Sequence, residues 1–567
     1  MAPDISIRNT CFLFAILLVL VACGGGGGSG DTTAPTAIVT TNAPAAPDPA
    51  LVPDNTVITI TFSESMNTTV GSWSLSGDLA GESNGGVWSM TTVQNDTLTI
   101  SPASTWYARP GRNLIVNARD LSGNPAATLN LTYDVYTGIL YYVDISQPDD
   151  LGDGMSPLTA RKYIHTAVAD AVPSATVLVA GGNYPVNLSP ADTRIYLREA
   201  VSLYGGYSSD FTDRDPVLYP TTITDQSNFA ASALNPNFAL MADGTTIAIT
   251  AATVVDGFTI TGSTQAASAY TSAIRTRNSA APMIYNNTIN GGGGTSESYG
   301  IFVDTTSPRI MNNTIHGGSG TNSAGIYING SAPTIQNNNI YGGNAGTYSY
   351  GVFNYEGADA VIQNNMIHGG NGITNSIGIG NINSSPIIQN NTIHGGIRPS
   401  AMGIFSSGGI PNPANPYIDN NIILTGATGT CINGAGVDSL PSSLRNNDVS
   451  GCLVVFADVS APICLLNADG DGNDYTCALS EMNVLTGIPG GVGANISLDP
   501  MFADIDGVDN NLNTMADNDW HFSLGSSAFV TAGGLNGIDE GWTFTTDKDD
   551  ITRPTSGSPW SMGAYEP

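Results

Sequence analysis

Between about residues 255 and 450 the chain repeats one apolar and polar phrase. Isoleucines 289, 315, 340, 367 and 393 each close a group Asn-Asn-X-Ile, and the steps between them are 26, 25, 27 and 26 residues. Looser copies stand at 256–260 (DGFTI), 419–423 (DNNII) and 445–449 (RNNDV). A period in the twenties, built of short apolar stretches broken by Gly and Asn and lacking helix signals, predicts a β-solenoid. One coil cannot bury its apolar face alone, whereas stacking coils at about 4.8 Å buries it continuously. The glycines permit φ > 0 at the corners, and an asparagine amide can hydrogen-bond to the same amide one coil away. Asn287, Asn313, Asn338, Asn365 and Asn391 are placed in such a ladder, a structural role rather than a ligand-binding one.

The flanks read differently. Residues 35–135 alternate: Ile58, Ile60 and Phe62 point inward with threonines outward, and DTLTISP and NLIVNARD repeat the pattern between Gly, Pro and Asn turns, which predicts a β-sandwich. From about 138, strand, amphipathic helix and strand follow in turn. The helix carries Ile164, Ala167, Val168 and Val172 at helical spacing, and such a helix can close the open end of a solenoid.

Residues 35–135 resemble bacterial Ig-like domains through ITFSESMN and VNARDLSGN, modules that space or present another domain. Residues 138–567 resemble the right-handed parallel β-helix of the pectin-lyase-like superfamily. Their entry segments YYVD, AVSLYGGYSSDF and YPTTI and their ending ITRPTSGSPWSMGAYEP are similar to a subgroup of exported bacterial β-helix proteins of mostly unassigned function. The expected fold class is all-β: an Ig-like sandwich, then a right-handed parallel β-helix of about ten coils with a short capping helix.

Charge narrows the partners. The chain has 47 Asp plus Glu against 16 Lys plus Arg, a net charge of −31, which argues against nucleic acid, anionic lipid surfaces and unassisted acidic polysaccharides. Residues 1–22 read as an export signal, since the apolar run from Cys11 to Val21 is too short to span a bilayer. Leu20-Val21-Ala22-Cys23 resembles a bacterial lipobox, which implies cleavage before Cys23 and lipidation of its thiol. Residues 23–34 are then a Gly-rich leash, and the absence of Asp after Cys23 implies an outer-membrane destination. Four further cysteines, Cys431, Cys452, Cys464 and Cys477, fall within 47 residues. In an exported protein they read as two disulfides, paired in sequence order, rather than as a zinc site, whose CxxC spacing is missing.

Candidate chemistry is sparse. Enzymes of the resembled superfamily use carboxylate-held Ca²⁺ with a basic residue, or clustered Asp residues as acid and base. Between Gly262 and Ile423 the charged residues are Arg275, Arg277, Glu297, Asp304, Arg309, Glu356, Asp359, Arg398 and Asp419. No three carboxylates with a basic partner recur at matched positions, so neither motif carries over. Aligned coils instead give an outward stripe of Phe302, Tyr327, Phe353 and Phe405, interrupted by Gly380. Beside it Asp304, Asn329, Glu356 and Asn383 share one corner if the later coils carry a one-residue bulge. Rings beside amides and carboxylates suit a neutral sugar chain; the alternative is that the rings stack on each other under a neighbouring loop. Asp304 and Glu356, two coils apart at roughly 9.6 Å, are the weak candidates for a catalytic pair. His316, His368 and His394 share a position and read as solvent-facing rather than metal-binding. The acidic segment 467–474 offers Asp469, Asp471 and Asp474 as Ca²⁺ ligands, with plain solvated turns as the alternative.

The expected function is that of a lipid-anchored envelope protein, surface-exposed on the outer membrane, presenting a β-helix for adhesion or for binding polysaccharide or cell-surface glycan without catalysis. The alternatives are a polysaccharide lyase or glycoside hydrolase of the same fold, and a structural envelope protein.

Overall fold

The structure, a computed structural model, describes residues 31–567 except 44–47, 229–231, 233–235, 266, 427, 436–437, 459–475, 486–487, 507, 509–517, 524, 543 and 550. Two compact units are present. The smaller comprises the chain up to Thr41 with Val57–Ser101 and Leu114–Leu131. In it Ile58–Phe62 is the middle strand between Ala37–Thr41 and Thr97–Pro102, antiparallel to both. Ile58, Ile60 and Phe62 are buried as the alternation requires. Trp73–Ser76 pairs with the strand Arg112–Ala118 in a second antiparallel ladder. The larger unit takes Asn42–Thr56, Pro102–Asn113 and Thr132–Pro567.

The larger unit is a right-handed parallel β-solenoid whose coils contribute to sheets of 12, 10 and 11 strands. One coil shows the plan. The long strand Glu297–Asp304 turns a corner into the short strand Arg309–Met311, and the Asn pair turns that into a second short strand, Thr314–His316. Register is held from coil to coil: Ile289, Ile315, Ile340, Ile367, Ile393 and Ile423 are successive partners. Ile310, Ile335, Ile362, Ile388 and Ile418 form a second column. Ile301, Ile326, Val352, Ile379 and Ile404 form a third. All these side chains are fully buried, each contributing about 1.5–3 kcal/mol of apolar burial.

The Asn pair divides its labour. The first member, Asn286, Asn312, Asn337, Asn364 or Asn390, turns the chain with φ between 52° and 57°, a left-handed conformation that asparagine tolerates better than most residues. The second member makes the ladder. Asn287 Nδ2 donates to Asn313 Oδ1, Asn313 to Asn338, Asn338 to Asn365 and Asn365 to Asn391, all at 3.0–3.1 Å. The ladder runs beyond its expected members, through Asn421 and Asn447 to Asn495. The Gly pair after each second short strand is divided in the same way. A Cβ on Gly317 would lie 2.3 Å from the Gly342 carbonyl oxygen of the next coil, whereas Gly318 needs φ of +80°.

The helix Ile164–Asp170 buries Ile164, Ala167 and Val168 into the apolar column at the solenoid's start; Val172 lies beyond it and is exposed. The C-terminal segment folds back along the coils. Arg553, fully buried, pairs with Glu566 and donates to Asn364 Oδ1 at 3.0 Å, while Asn390 Nδ2 donates to the Ser561 and Gly563 carbonyls. Among the described residues no helix is long and apolar enough to cross a membrane.

Candidate functional site

Five consecutive long strands, from Tyr270–Arg277 to Asn375–Ile382, turn their outward side chains to one face. Phe302, Tyr327, Phe353 and Gly380 are successive partners there, with Phe405 after them. A second row runs beside it: Tyr299, Ala324, Tyr350 and Ile377. Alternation counted back from Ile301 assigns Tyr299 to the interior, so the sequence reading missed this row. Gly300 breaks the alternation, because a Cβ there would meet Ile315 Cγ2 at 2.6 Å and the Gly325 oxygen at 2.6 Å. Glycine at the same place in each coil, Gly325, Gly351 and Gly378, was the available signal.

The two rows gather into ring groups. Tyr299 lies 5.6 Å from Phe302 and 4.8 Å from Tyr327. Tyr350 stacks on Phe353 at 4.3 Å with planes 13° apart. Gly380 allows that stack, since a Cβ there would come within 2.9 Å of the Tyr350 ring. Phe302 is 1% exposed. It points outward as expected, but Tyr299 and Tyr327 cover it, which corrects the expectation that its face is open to a ligand. Tyr327, Phe353 and Phe405 are half-buried and keep part of their rings accessible.

Between the ring groups lies a cleft of about 190 Å³ with Ala324 in its wall. Glu297, Asn322 and Tyr348, partners on adjacent coils, also line it. The Tyr299 hydroxyl donates to the Glu297 carboxylate. Burial, with that carboxylate beside it, pushes the Tyr299 phenol well above its ordinary range, and burial pushes Tyr350 up to about 12. Both phenols are therefore protonated at neutral pH. Asn322 Oδ1 is buried and accepts no hydrogen bond from the described residues.

At the neighbouring corner the expected row of Asp304, Asn329, Glu356 and Asn383 is corrected. Asp304 and Asn329 are partners, but the next partners are Tyr355 and Ile382. No bulge intervenes. Glu356 and Asn383 follow one position later, where Thr305 and Gly330 stand in the earlier coils, and all four have φ of 50–55°. Asp304 is engaged by Asn329 Nδ2 at 3.0 Å and by Arg275 at 3.7 Å, and Glu356 accepts from Asn383 Nδ2 at 3.1 Å. The two carboxylates considered as a catalytic pair thus stand in different rows with different partners.

The histidines are also corrected. His368 and His394 are buried and stack at 4.9 Å with planes 4° apart, His394 lying 6.0 Å from Trp520. The C-terminal segment covers this row. Each Nδ1 accepts a backbone N–H, from Gly370 at 2.9 Å and Gly396 at 3.0 Å, so those nitrogens are not open to a metal. Burial holds His368 well below the ordinary imidazole range and pushes His394 down to about 4. His316, at the start of the row, is half-buried.

Cys431 and Cys452 are joined by a disulfide. Cys477 ends a two-residue strand opposite Phe456. Cys23, Cys464 and the proposed Ca²⁺ ligands Asp469, Asp471 and Asp474 lie outside the described residues. Among the described residues, one acidic trio, Asp31, Glu64 and Asp120 of the smaller unit, brings carboxylate oxygens within 4.8 Å of one another. Both Asp120 oxygens accept from Asn124, at 2.8 Å each.

Residues 150–359 match the family described as "Protein of unknown function (DUF1565)". No curated protein matches the chain. Among solved structures the chain is similar to pectate lyase Pel9A, at 12% identity, covering 76% of this chain and 96% of that one, with a TM-score of 0.38. It is similar to XylC in complex with xylose, at 10% identity over 75% of this chain and 98% of that one, with a TM-score of 0.35. A third likeness is to the A-module of the Azotobacter vinelandii mannuronan C-5 epimerase AlgE4, at 14% identity over 52% and 95%, with a TM-score of 0.27. By its own sheets and register the chain is a right-handed parallel β-helix protein with an N-terminal antiparallel β unit.

Proposed function

We propose that this protein binds a neutral glycan, a polysaccharide or a cell-surface glycan, along the long-strand face of its β-helix and does not cleave it. One observation carries the reading: two aromatic groups flank a cleft lined also by Glu297 and by Asn322, whose buried side-chain oxygen has no partner among the described residues. Aromatic faces take up the C–H faces of a pyranose, while carboxylate and amide oxygens accept from its hydroxyls. A few rings and two acceptors support a dissociation constant between about 1 mM and 1 μM, roughly −4 to −8 kcal/mol. The net charge of −31 opposes an acidic glycan.

The same proposal places the protein at the outer membrane through a lipid on Cys23, supported by the lipobox resemblance, and assigns Ca²⁺ to the 467–474 segment on its alternating carboxylates. The test is incubation with neutral and acidic polysaccharides, with Ca²⁺ and with chelator, recording retention and release of shorter products together. Retention without cleavage, lost in Tyr350→Ala, is expected. Shortened products would replace the binding role with an enzymatic one.

A further inference from the structure

The second row carries two aromatic rings, with Ser272 before them and Ile377 and Met402 after. Tyr299 and Tyr350 stand two coils apart, and the intervening partner is Ala324. Two coil rises amount to about 9.6 Å, close to twice the 4.8 Å and 4.3 Å at which neighbouring rings on this face pack. Tyr327 lines the cleft from its own row. It leans toward Tyr299 and meets Phe353 edge-on, at 70°. Between Tyr299 and Tyr350 one rung is therefore missing, and the cleft of about 190 Å³ is lined by both of them and by Ala324. This volume is below the roughly 300 Å³ where pockets for drug-sized ligands begin.

We infer that the gap at Ala324 is a subsite for a single neutral pyranose ring, held against the half-buried Tyr350 and Tyr327 rings, with buried Tyr299 behind them, and hydrogen-bonded through its hydroxyls to Glu297 and the Asn322 side chain. This rests on the glycan-binding reading and names its specificity determinants. The polar groups decide the class of ring. The buried Asn322 oxygen has no hydrogen-bond donor among the described residues, and the Glu297 carboxylate oxygens accept. A hydroxylated ring supplies donors to both, whereas an apolar ring leaves them unpaired, and a site of this kind rejects a ligand lacking its hydroxyls strongly. A uronate would bring a carboxylate against Glu297, and like charge in a partly desolvated cleft discriminates against it. Ala324 sets the occupancy, since any larger side chain there takes the ligand's place.

The experiment uses the full chain in detergent. Methyl glycosides of glucose, galactose, mannose, xylose and glucuronic acid are titrated by saturation-transfer NMR, with retention on the parent polysaccharides measured in parallel. Ala324→Phe should fill the missing rung, leave the melting temperature unchanged or raised, and weaken the best-bound glycoside at least tenfold. Asn322→Ala keeps every ring in place and should weaken it about tenfold. Glucuronoside should bind at least tenfold more weakly than glucoside, and Glu297→Gln should narrow that gap. Polysaccharide retention unaffected by Ala324→Phe and Asn322→Ala would overturn the subsite while leaving the binding role intact. Retention of polysaccharide with no methyl glycoside bound would overturn the one-ring subsite as well. Loss of both readouts in the unmodified chain would overturn the subsite and the binding role together.

Discussion

The two asparagines of each turn, adjacent and chemically identical, are predicted to respond oppositely to substitution. Asn338 Oδ1 accepts from the Asn313 backbone N–H at 2.9 Å and from its Nδ2 at 3.0 Å. Its own Nδ2 donates to Ile310 O at 2.8 Å, Gln336 O at 2.9 Å and Asn365 Oδ1 at 3.0 Å. Asn338→Ala orphans a buried backbone N–H, at about 1–3 kcal/mol, and removes several further bonds at about 1 kcal/mol net each, so the expected loss is about 3–5 kcal/mol. Asn337 stands at φ 57° with its Oδ1 buried and without a partner among the described residues. Asn337→Gly keeps the turn and relieves that oxygen, against an unfolded-state cost of about 0.5–1 kcal/mol, so it stays within about 1 kcal/mol of the unmodified chain. Amide hydrogen exchange reads the difference coil by coil. In Asn338→Ala the Asn313 amide and its neighbours should exchange about two to three and a half orders of magnitude faster, at about 1.4 kcal/mol per decade. Equal damage from both substitutions, or none from Asn338→Ala, would refute the division of roles.

His521 sits between Asp519 at 2.6 Å and Asp549 at 2.7 Å and packs on Tyr565, with Lys548 beside Asp549. These carboxylates raise it from 6.5 to about 9, so its stabilisation of the C-terminal segment is complete below pH 6.5 and lost as pH rises through 9. Limited proteolysis of that segment should accelerate across this window in the unmodified chain and lose the dependence in His521→Gln. Asp448, buried with Oδ1 accepting from Leu498 N at 3.0 Å, is pushed by burial from 3.8 up to about 7. Stability is therefore lost as pH rises from about 3.8 through about 7 and is level above that, a penalty on the order of 4 kcal/mol in full. Asp448→Asn leaves an unpaired amide at about 1–3 kcal/mol, so urea unfolding at pH 8 should show it more stable by about 1–3 kcal/mol, with no advantage at pH 4.

The solenoid was legible because stacking forces periodicity: each coil must supply a branched apolar residue and an asparagine at the same place, and the 25–27-residue steps among the Asn-Asn-X-Ile groups report that directly. The ladder's members followed from the same spacing. What was hidden depends on contacts that no local pattern encodes. His368 and His394 look solvent-facing within their own coils, yet Trp520 and Tyr565, well over a hundred residues later, help cover that part of the sheet. Glu356 was aligned with Asp304 by allowing a bulge, whereas the left-handed residues at 305, 330, 356 and 383 keep the coils in register without one. Tyr299 and Tyr350 were passed over because strict alternation assumes a continuous strand, and the glycines at 300 and 351 interrupt it. Phe302 was found, but its burial arises from Tyr299, the ring that the alternation concealed.

The most direct test of the binding role is one titration of the full chain with a soluble neutral polysaccharide, following tyrosine fluorescence and counting newly formed reducing ends in the same sample. The account predicts a saturable fluorescence change, abolished in Tyr350→Ala, with the count of reducing ends flat throughout. A rising count, or a fluorescence change indifferent to Tyr350, would contradict it.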